Sequence, residues 1–181
     1  MVAFLCGEPF YDMEKVKVKV IRKIPEIKVG GETLGPLDQD QEVELERWVA
    51  RVLKEEGYVD IIDEKDVDLS LISKIAWKEV RTDQLVPLEP TFYVKARRYL
   101  KILNEKAKVN PEALNEKRAV EVKLTDVINC RIQKIVNLAL TGSKPPREVL
   151  DSLTPEEKML FNEVRYLISR WRRTVKGEGN G

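Results

Sequence analysis

From Lys15 to Ile24 the chain alternates. Val16, Val18, Val20 and Ile24 are apolar, and Lys15, Lys17, Lys19 and Lys23 stand between or beside them. A period of two predicts a strand with one wet face. Pro25 closes it, and Ile27 and Val29 predict a second short strand running into Gly30-Gly31, a hairpin-type turn. Thr33-Leu34-Gly35-Pro36 restarts and ends the next strand. Asp38 to Gln41 reads as a turn, and Val43 and Leu45 as a last short strand or a helix approach. The period then lengthens. Trp48, Val49, Val52 and Leu53 recur at helical spacing, Gly57 supplies the stop, and Tyr58, Val59, Ile61 and Ile62 predict a closing strand.

Beyond an acidic run from Asp60 to Asp68 the pattern is helical throughout. Leu69, Ile72, Ile75, Ala76 and Val80 form one face, with Asp68 as N-cap. Pro87 and Pro90 bracket a bend, after which Phe92, Ala96, Tyr99, Leu100 and Leu103 form a second face. Asn110-Pro111 places a capping residue before a proline at the first helical position. The helix it opens carries Val120, Leu124, Val127, Ile128, Ile132, Ile135, Val136, Leu138 and Ala139 on more than one face, which predicts a central helix packed on two sides. Gly142 to Pro146 ends it. Thr154-Pro155-Glu156-Glu157 is a capping box, and the last helix sets Leu160, Val164, Leu167, Ile168, Trp171 and Val175 on one stripe.

The fold class expected is mainly α with a small α+β module: a β-rich domain over 1–62, with 1–14 as an extension, a linker over 63–68, a helical bundle over 69–177 and a tail over 178–181. The first domain lies near the lower size limit for folding alone.

Composition narrows the chemistry. Histidine is absent from all 181 residues, which removes the commonest general base and metal ligand. Lys+Arg number 32 against Asp+Glu 31, so any attraction to nucleic acid or membrane must be local. Charged residues at 35% in near balance fit a heat-adapted source. Cys6 and Cys130 form no metal-type pair and point to a reducing compartment. No apolar run approaches the roughly 20 residues of a membrane span, and Met1 to Leu5 lacks the basic leader of a signal peptide. A soluble, cytoplasmic protein is expected.

No catalytic, cofactor or metal site emerges. Asp38, Asp40, Glu42 and Glu44 lack the glycine and terminal glutamate of a calcium loop and read as a solvated face. Gly30-Gly31 and Gly35 have no lysine-serine/threonine pair behind them, so the hairpin reading stands over a phosphate loop. Cys130 has no histidine to activate it and is expected to be a packed thiol. The lysines of the first strand are expected to protect an exposed sheet edge. Arg165, Arg170, Arg172, Arg173 and Lys176 crowd the last helix with Tyr166 and Trp171. Basic and aromatic residues together suit nucleic acid. Against that, cations complement a helix C-terminus, and Trp171 falls on the expected core stripe. Arg97-Arg98 either joins that patch or faces water.

One resemblance covers most of the chain. IRKIPEIKVGGETLGPLDQDQEVELERWVARVLKEEGYVDI (Ile21 to Ile61) resembles the small β domain of archaeal GINS subunits, with its Ile-Pro strand, glycine turn and Gly-Pro-Leu step. LVPLEPTFYVKARRYLKIL (Leu85 to Leu103), RIQKIVNLAL (Arg131 to Leu140) and LTPEEKMLFNEVRYLISRWR (Leu153 to Arg172) are similar to helices of the GINS helical domain. Subunits of that family come in two permuted orders. The small domain leads here, as in the β-first class, although the Phe92-Tyr93 helix and the Arg131 helix look closer to the helical-first class.

The resemblance implies a non-catalytic subunit of the GINS complex, built as a two-plus-two heterotetramer with a sister subunit. That complex supports the MCM replicative helicase and bridges it to a RecJ-like protein, with links to primase and DNA polymerase, at forks on the nucleoid. DNA would be touched indirectly. On this reading Phe92, Tyr93, Tyr99, Leu160, Val164, Leu167 and Trp171 are the candidates for core or partner interface. The competing reading is a stand-alone nucleic-acid-binding protein that uses Arg165, Arg170, Arg172, Arg173 and Lys176. An enzyme would need a cleft of paired, perturbed carboxylates, and no such pairing stands in the sequence.

Overall fold

The computed structural model describes residues 7–63, 67–143 and 145–177 of the chain. Half of the expected linker (64–66), the 178–181 tail and the first six residues, Cys6 among them, lie outside the described residues. Two compact units are present, Glu8–Asp66 and Val67–Gly181, the second including Gly7.

The first unit runs α1 (Glu8–Met13), β1 (Lys15–Val20), β2 (Ile27–Val29), β3 (Glu32–Leu34), β4 (Glu42–Glu46), α2 (Arg47–Glu55) and β5 (Val59–Asp63). Strict alternation along β1 buries Val16, Val18 and Val20 and exposes Lys15, Lys17 and Lys19. The sheet is antiparallel in the order β4-β1-β5, with Val18 opposite Val43 on one side and Ile61 on the other. Thus β1 is the central strand, not an exposed edge, and its lysines do not serve as edge protection. They face acids across the sheet instead: Lys17–Glu42 at 3.2 Å, Lys19–Asp40 at 2.9 Å and Lys23–Asp38 at 2.9 Å. The acids that alternate near β4 are therefore counter-charges on a solvated face. Asp40 both accepts a hydrogen bond from Lys19 and lies close as a charge, holding that ammonium's pKa above its ordinary value. At the β2–β3 hairpin Gly30 (φ 60°) and Gly31 (φ 92°) supply the two left-handed residues of a two-residue turn.

Beneath the sheet, Ile24, Leu37, Leu45, Ala50, Leu53 and Val59 join the three valines in one core. The sequence pattern offered no account of α1. It is held by Tyr11, 4% exposed, whose ring lies 4.1 Å from the Arg47 guanidinium, and by an Arg47–Glu14 ion pair at 3.0 Å.

The second unit is a bundle: α3 (Leu69–Arg81), α4 (Phe92–Lys106), α5 (Pro111–Leu140), α6 (Arg147–Asp151) and α7 (Pro155–Val175). The expected caps form. Asp68 accepts from Leu71 N–H at 2.7 Å, Asn110 from Glu112 N–H at 2.9 Å, and Thr154 with Glu157 closes a reciprocal capping box. Helix α5 packs against α3, α4 and α7, which is why its apolar residues spread around it. Its first half shares a core with Ile72, Ile75 and Ala76 of α3 and Phe92, Ala96 and Leu103 of α4. Its second half, through Ile135 and Ala139, packs on Leu153 and Phe161. Val80 leaves the expected α3 face and is 69% exposed. Eight residues on from Ile72, the helix has carried it about 80° round the axis.

Candidate subunit interface

Arg131, about two-thirds of the way along α5, is 1% exposed and is the polar centre of the bundle. Its guanidinium donates to both carboxylate oxygens of Glu157, to Glu79 Oε2 at 3.2 Å, and to the carbonyls of Val86 (2.7 Å) and Ser152 (3.0 Å). Glu79, fully buried, also receives Lys134 Nζ at 2.7 Å and the Val86 N–H at 3.2 Å. Glu157 closes the α7 capping box and accepts from the Tyr93 hydroxyl at 2.7 Å. One cation thereby ties α3, the loop after it and the start of α7 to α5. Burial works against the Arg131 cation, but hydrogen bonding and charge from Glu157 outweigh it and hold the group protonated. Burial, with Glu157 beside it, pushes the Tyr93 phenol well above its ordinary range. A carboxylate taken out of water persists only with such partners.

From that pinned start α7 runs outward. Phe161 is buried, and Leu160, Val164 and Ile168 are half-buried against the α5 core. Every residue of 169–177 is exposed. Leu167 is 58% and Trp171 66% exposed, and Tyr166 and Val175 share that state. This corrects the expectation that Trp171 sits on the chain's own core stripe. Ten residues past Phe161 its direction has turned about 80° from the core. The last turns of α7 thus leave Leu167, Trp171 and Val175 exposed among the described residues.

Two cavities lie in this unit. An apolar groove of about 340 Å³ runs between α4, α5 and α7, lined by Tyr93, Arg97, Leu124, Ile128, Ile132 and Leu160 among others. Glu156 reaches it with both carboxylate oxygens buried and, among the described residues, without a hydrogen-bond partner. Its place in the first turn of α7 gives it the favourable end of the helix dipole. A polar cavity of about 770 Å³ borders Glu79, Gln133, Lys134, Asn137 and Cys130. There Lys134 spends its three donors on Glu79 O, Glu79 Oε1 and Gln84 O, and the Cys130 thiol, half-buried, donates to Glu79 O at 3.4 Å. Among the described residues no group of three or more His, Cys, Asp or Glu is arranged to hold a metal ion. No described helix is long and apolar enough to cross a membrane.

The sequence-predicted site residues divide by position. Phe92 is 2% exposed and belongs to the unit's own core, edge-on to Tyr93 at 5.2 Å, so it leaves the interface set. Tyr93 lines the groove while its hydroxyl is spent on Glu157. Tyr99 is half-buried and donates to Glu116; burial, then Glu116, push its phenol up to about 12. Leu160, Val164, Leu167 and Trp171 share one side of α7 and are brought together. Arg170, Arg172, Arg173 and Lys176 are exposed around its end, and half-buried Arg165 packs towards Phe161, with 6.0 Å between guanidinium and ring. Arg172 also donates to Leu140 O at 3.0 Å, capping the last turn of α5. The reading by residue type passed over Arg131, Glu79 and Glu157. The available signal was a charged residue, Arg131, recurring at core spacing between Val127 and Ile135.

Comparison with known families places this geometry. The family model for the GINS complex protein helical bundle domain (Sld5) matches residues 63–176, well over half of the chain. The chain belongs to the GINS family, whose members work in DNA replication as subunits of the GINS complex. A comparison with curated proteins finds no match.

Proposed function

We propose that this chain is a non-catalytic structural subunit of the GINS complex, of the β-first class, with the 1–62 region as the small β domain and 69–177 as the helical domain. It assembles with a helical-first sister subunit in a two-plus-two tetramer. In the cytoplasm, at forks on the nucleoid, that assembly supports the MCM helicase and bridges it to a RecJ-like protein, and to primase or DNA polymerase. The observation that carries the proposal is α7. Its start is fixed by the Arg131 network, and its last turns present Leu167, Trp171 and Val175 to solvent. A chain whose work is to hold other proteins in register needs such a rigid face, and none of its residues need turn over a substrate.

The test is light scattering of the chain mixed with the helical-first GINS subunit of the same genome. A stable complex near the mass of two copies of each is expected, and the double variant Leu167→Glu/Trp171→Ala should lose it. Indifference of the wild-type chain to that subunit would overturn the proposal.

A second reading draws on the exposure of Trp171 and Tyr166 beside Arg170, Arg173 and Lys176, an aromatic and basic set suited to single-stranded nucleic acid. It requires binding by the chain alone whose affinity falls steeply with salt. A flat salt dependence removes it.

A further inference from the structure

A surface cleft of about 250 Å³, apart from the two cavities above, opens between α3 and the segment that joins α3 to α4. Leu71, Lys74 and Lys78, at steps of three and four, line its helical wall, and Val86, Pro87 and Glu89 line the other. Its floor is the bundle's own core, through Val67, Ile75 and Phe92. The cations around it are unanswered. Lys74, Lys78 and Arg81 are exposed, and none of the three has an ion-pair partner among the described residues. In the small unit, by contrast, Lys17, Lys19 and Lys23 each meet an acid. No acid stands three or four residues from Lys74 or Lys78, which neighbour each other and Arg81 instead, and like charges at that spacing work against a helix. Cations in a last turn favour the helix dipole, which accounts for Lys78 and Arg81 but not for Lys74. The acid among the lining residues, Glu89, is held by Lys95 at 3.1 Å. Next along the helix Trp77 is 56% exposed, with the Arg81 guanidinium 4.1 Å from its ring.

We infer that this cleft docks an acidic peptide segment of another protein, which sets one leucine- or phenylalanine-sized side chain into the hollow and its carboxylates against Lys74 and Lys78. The volume lies below the range of about 300–1,000 Å³ that takes a drug-sized molecule, so the hollow suits a side chain and not a cofactor. Apolar walls ringed by unanswered cations match such a segment in shape and in charge. Trp77 and Arg81 extend the surface for the flanking residues, the indole as contact area and the guanidinium as a forked partner for a carboxylate. Because the floor is fixed by the bundle core, little of this chain has to be ordered on binding. Single-stranded nucleic acid fits less well. Glu89 would stand against a phosphate, and Leu71, Val86 and Pro87 offer a base edge no side-chain hydrogen bond. The site uses none of the α7 residues on which the assembly proposed above rests, so it adds a partner to that reading without depending on it.

Fluorescence anisotropy of the full chain with a fluorescein-labelled octapeptide, Leu-Phe at its centre and Asp or Glu elsewhere, tests this. Saturable binding with Kd below about 1 mM is expected. Replacing the Leu-Phe pair by serines, or the acids by their amides, should each weaken it by about tenfold or more. The reversal Lys74→Glu/Lys78→Glu should do the same. Leu71→Gln should also weaken it, whereas Lys158→Glu, an exposed cation of α7, should leave it unchanged. All these side chains are exposed, and far-UV circular dichroism checks that the helices remain. No saturable binding, binding that survives the lysine reversal, or equal affinity for the serine peptide overturns the inference. So does an oligo-dT strand that binds more tightly than the peptide and is lost with the same lysines, because the surface is then a nucleic-acid site. A wild type that ignores the peptide while Glu64→Gln/Asp66→Asn binds it gives the cleft to the chain's own acidic connector, and the inference falls. Light scattering with the helical-first subunit is read separately. Lys74→Glu/Lys78→Glu should leave that complex intact, and its loss would give the cleft to the sister subunit and overturn the inference.

Discussion

Replacing Arg131 by methionine tests the account of what holds the bundle together. Methionine keeps much of the stem's volume and removes only the charge and the donors, so no large cavity confuses the result. In the wild type the guanidinium serves Glu157 twice, Glu79 once and two carbonyls. Its loss does not leave both carboxylates equally stranded. Glu79 keeps Lys134 and the Val86 N–H, while Glu157 keeps only the Tyr93 hydroxyl and the Thr154 N–H. Breaking a buried ion pair from one side costs about 3–5 kcal/mol. Each carbonyl left dry adds about 1 kcal/mol or more, although such terms are not additive. A loss of about 4–5 kcal/mol is therefore expected. Against a native stability of about 5–15 kcal/mol that is a large fraction, and 4 kcal/mol is nearly a thousandfold in the folding equilibrium.

The assay is urea unfolding followed by far-UV circular dichroism. It reads mainly the helical unit and is fitted with a separate transition for the small one. A loss under about 1 kcal/mol for Arg131→Met would refute the reasoning, because it would show the two carboxylates finding water or protons at no cost. Adding Glu157→Gln is the internal control. With its cation gone, Glu157 is the residue that suffers, so neutralising it should recover part of the loss, and the two single effects should sum to more than the double. Strict additivity would mean that the pair is not coupled, whatever its geometry.

Two further outcomes follow from local features. Gly35 sits at φ 95°, and a Cβ there would stand 2.7 Å from the Pro25 carbonyl oxygen, so Gly35→Ala should destabilise the small unit by more than about 1 kcal/mol in the same urea assay. The Tyr99 phenol is raised from 10.0 to about 12 in the folded chain. Its contribution is complete below pH 10 and is lost as pH climbs through about 12, so stability should fall with pH across that window, and less steeply in Tyr99→Phe.

What the sequence made legible was whatever depends on near neighbours along the chain. The alternation from Val16 to Val20, the glycine pair of the hairpin, the caps at Asp68 and Asn110 and the box at Thr154 are all local bargains between a residue and the backbone within four positions of it. They form as expected. What stayed hidden was pairing at long range. The lysines of β1 and Lys23 read as guards of an edge because their counter-charges, Glu42, Asp40 and Asp38, lie some 15–25 residues away and alternation alone does not give the strand order. Arg131 reads as an ordinary surface cation until α3 and α7 are placed around it. Trp171 shows the limit most sharply. Its spacing from Val164 and Leu167 is that of a buried seam, and periodicity says that such a face wants burial without saying by what.

That last ambiguity carries the functional argument. A stripe that buries itself within its own chain and one that waits for a partner have the same period, and only the length of the neighbouring helices separates them. Helix α5 stops at Leu140, where Arg172 takes its final carbonyl, and α7 continues past that point with Trp171 and Val175 uncovered. The two ends of α7 are thus built for different tasks. At one end Glu157 is locked to a buried arginine at a cost in desolvation that apolar packing would not incur. At the other end Leu167, Trp171 and Val175 stay in water, and on the function proposed above a partner covers them. On that reading the buried network fixes the direction in which the exposed face is presented, and an interface whose angle is set before contact loses less entropy on forming.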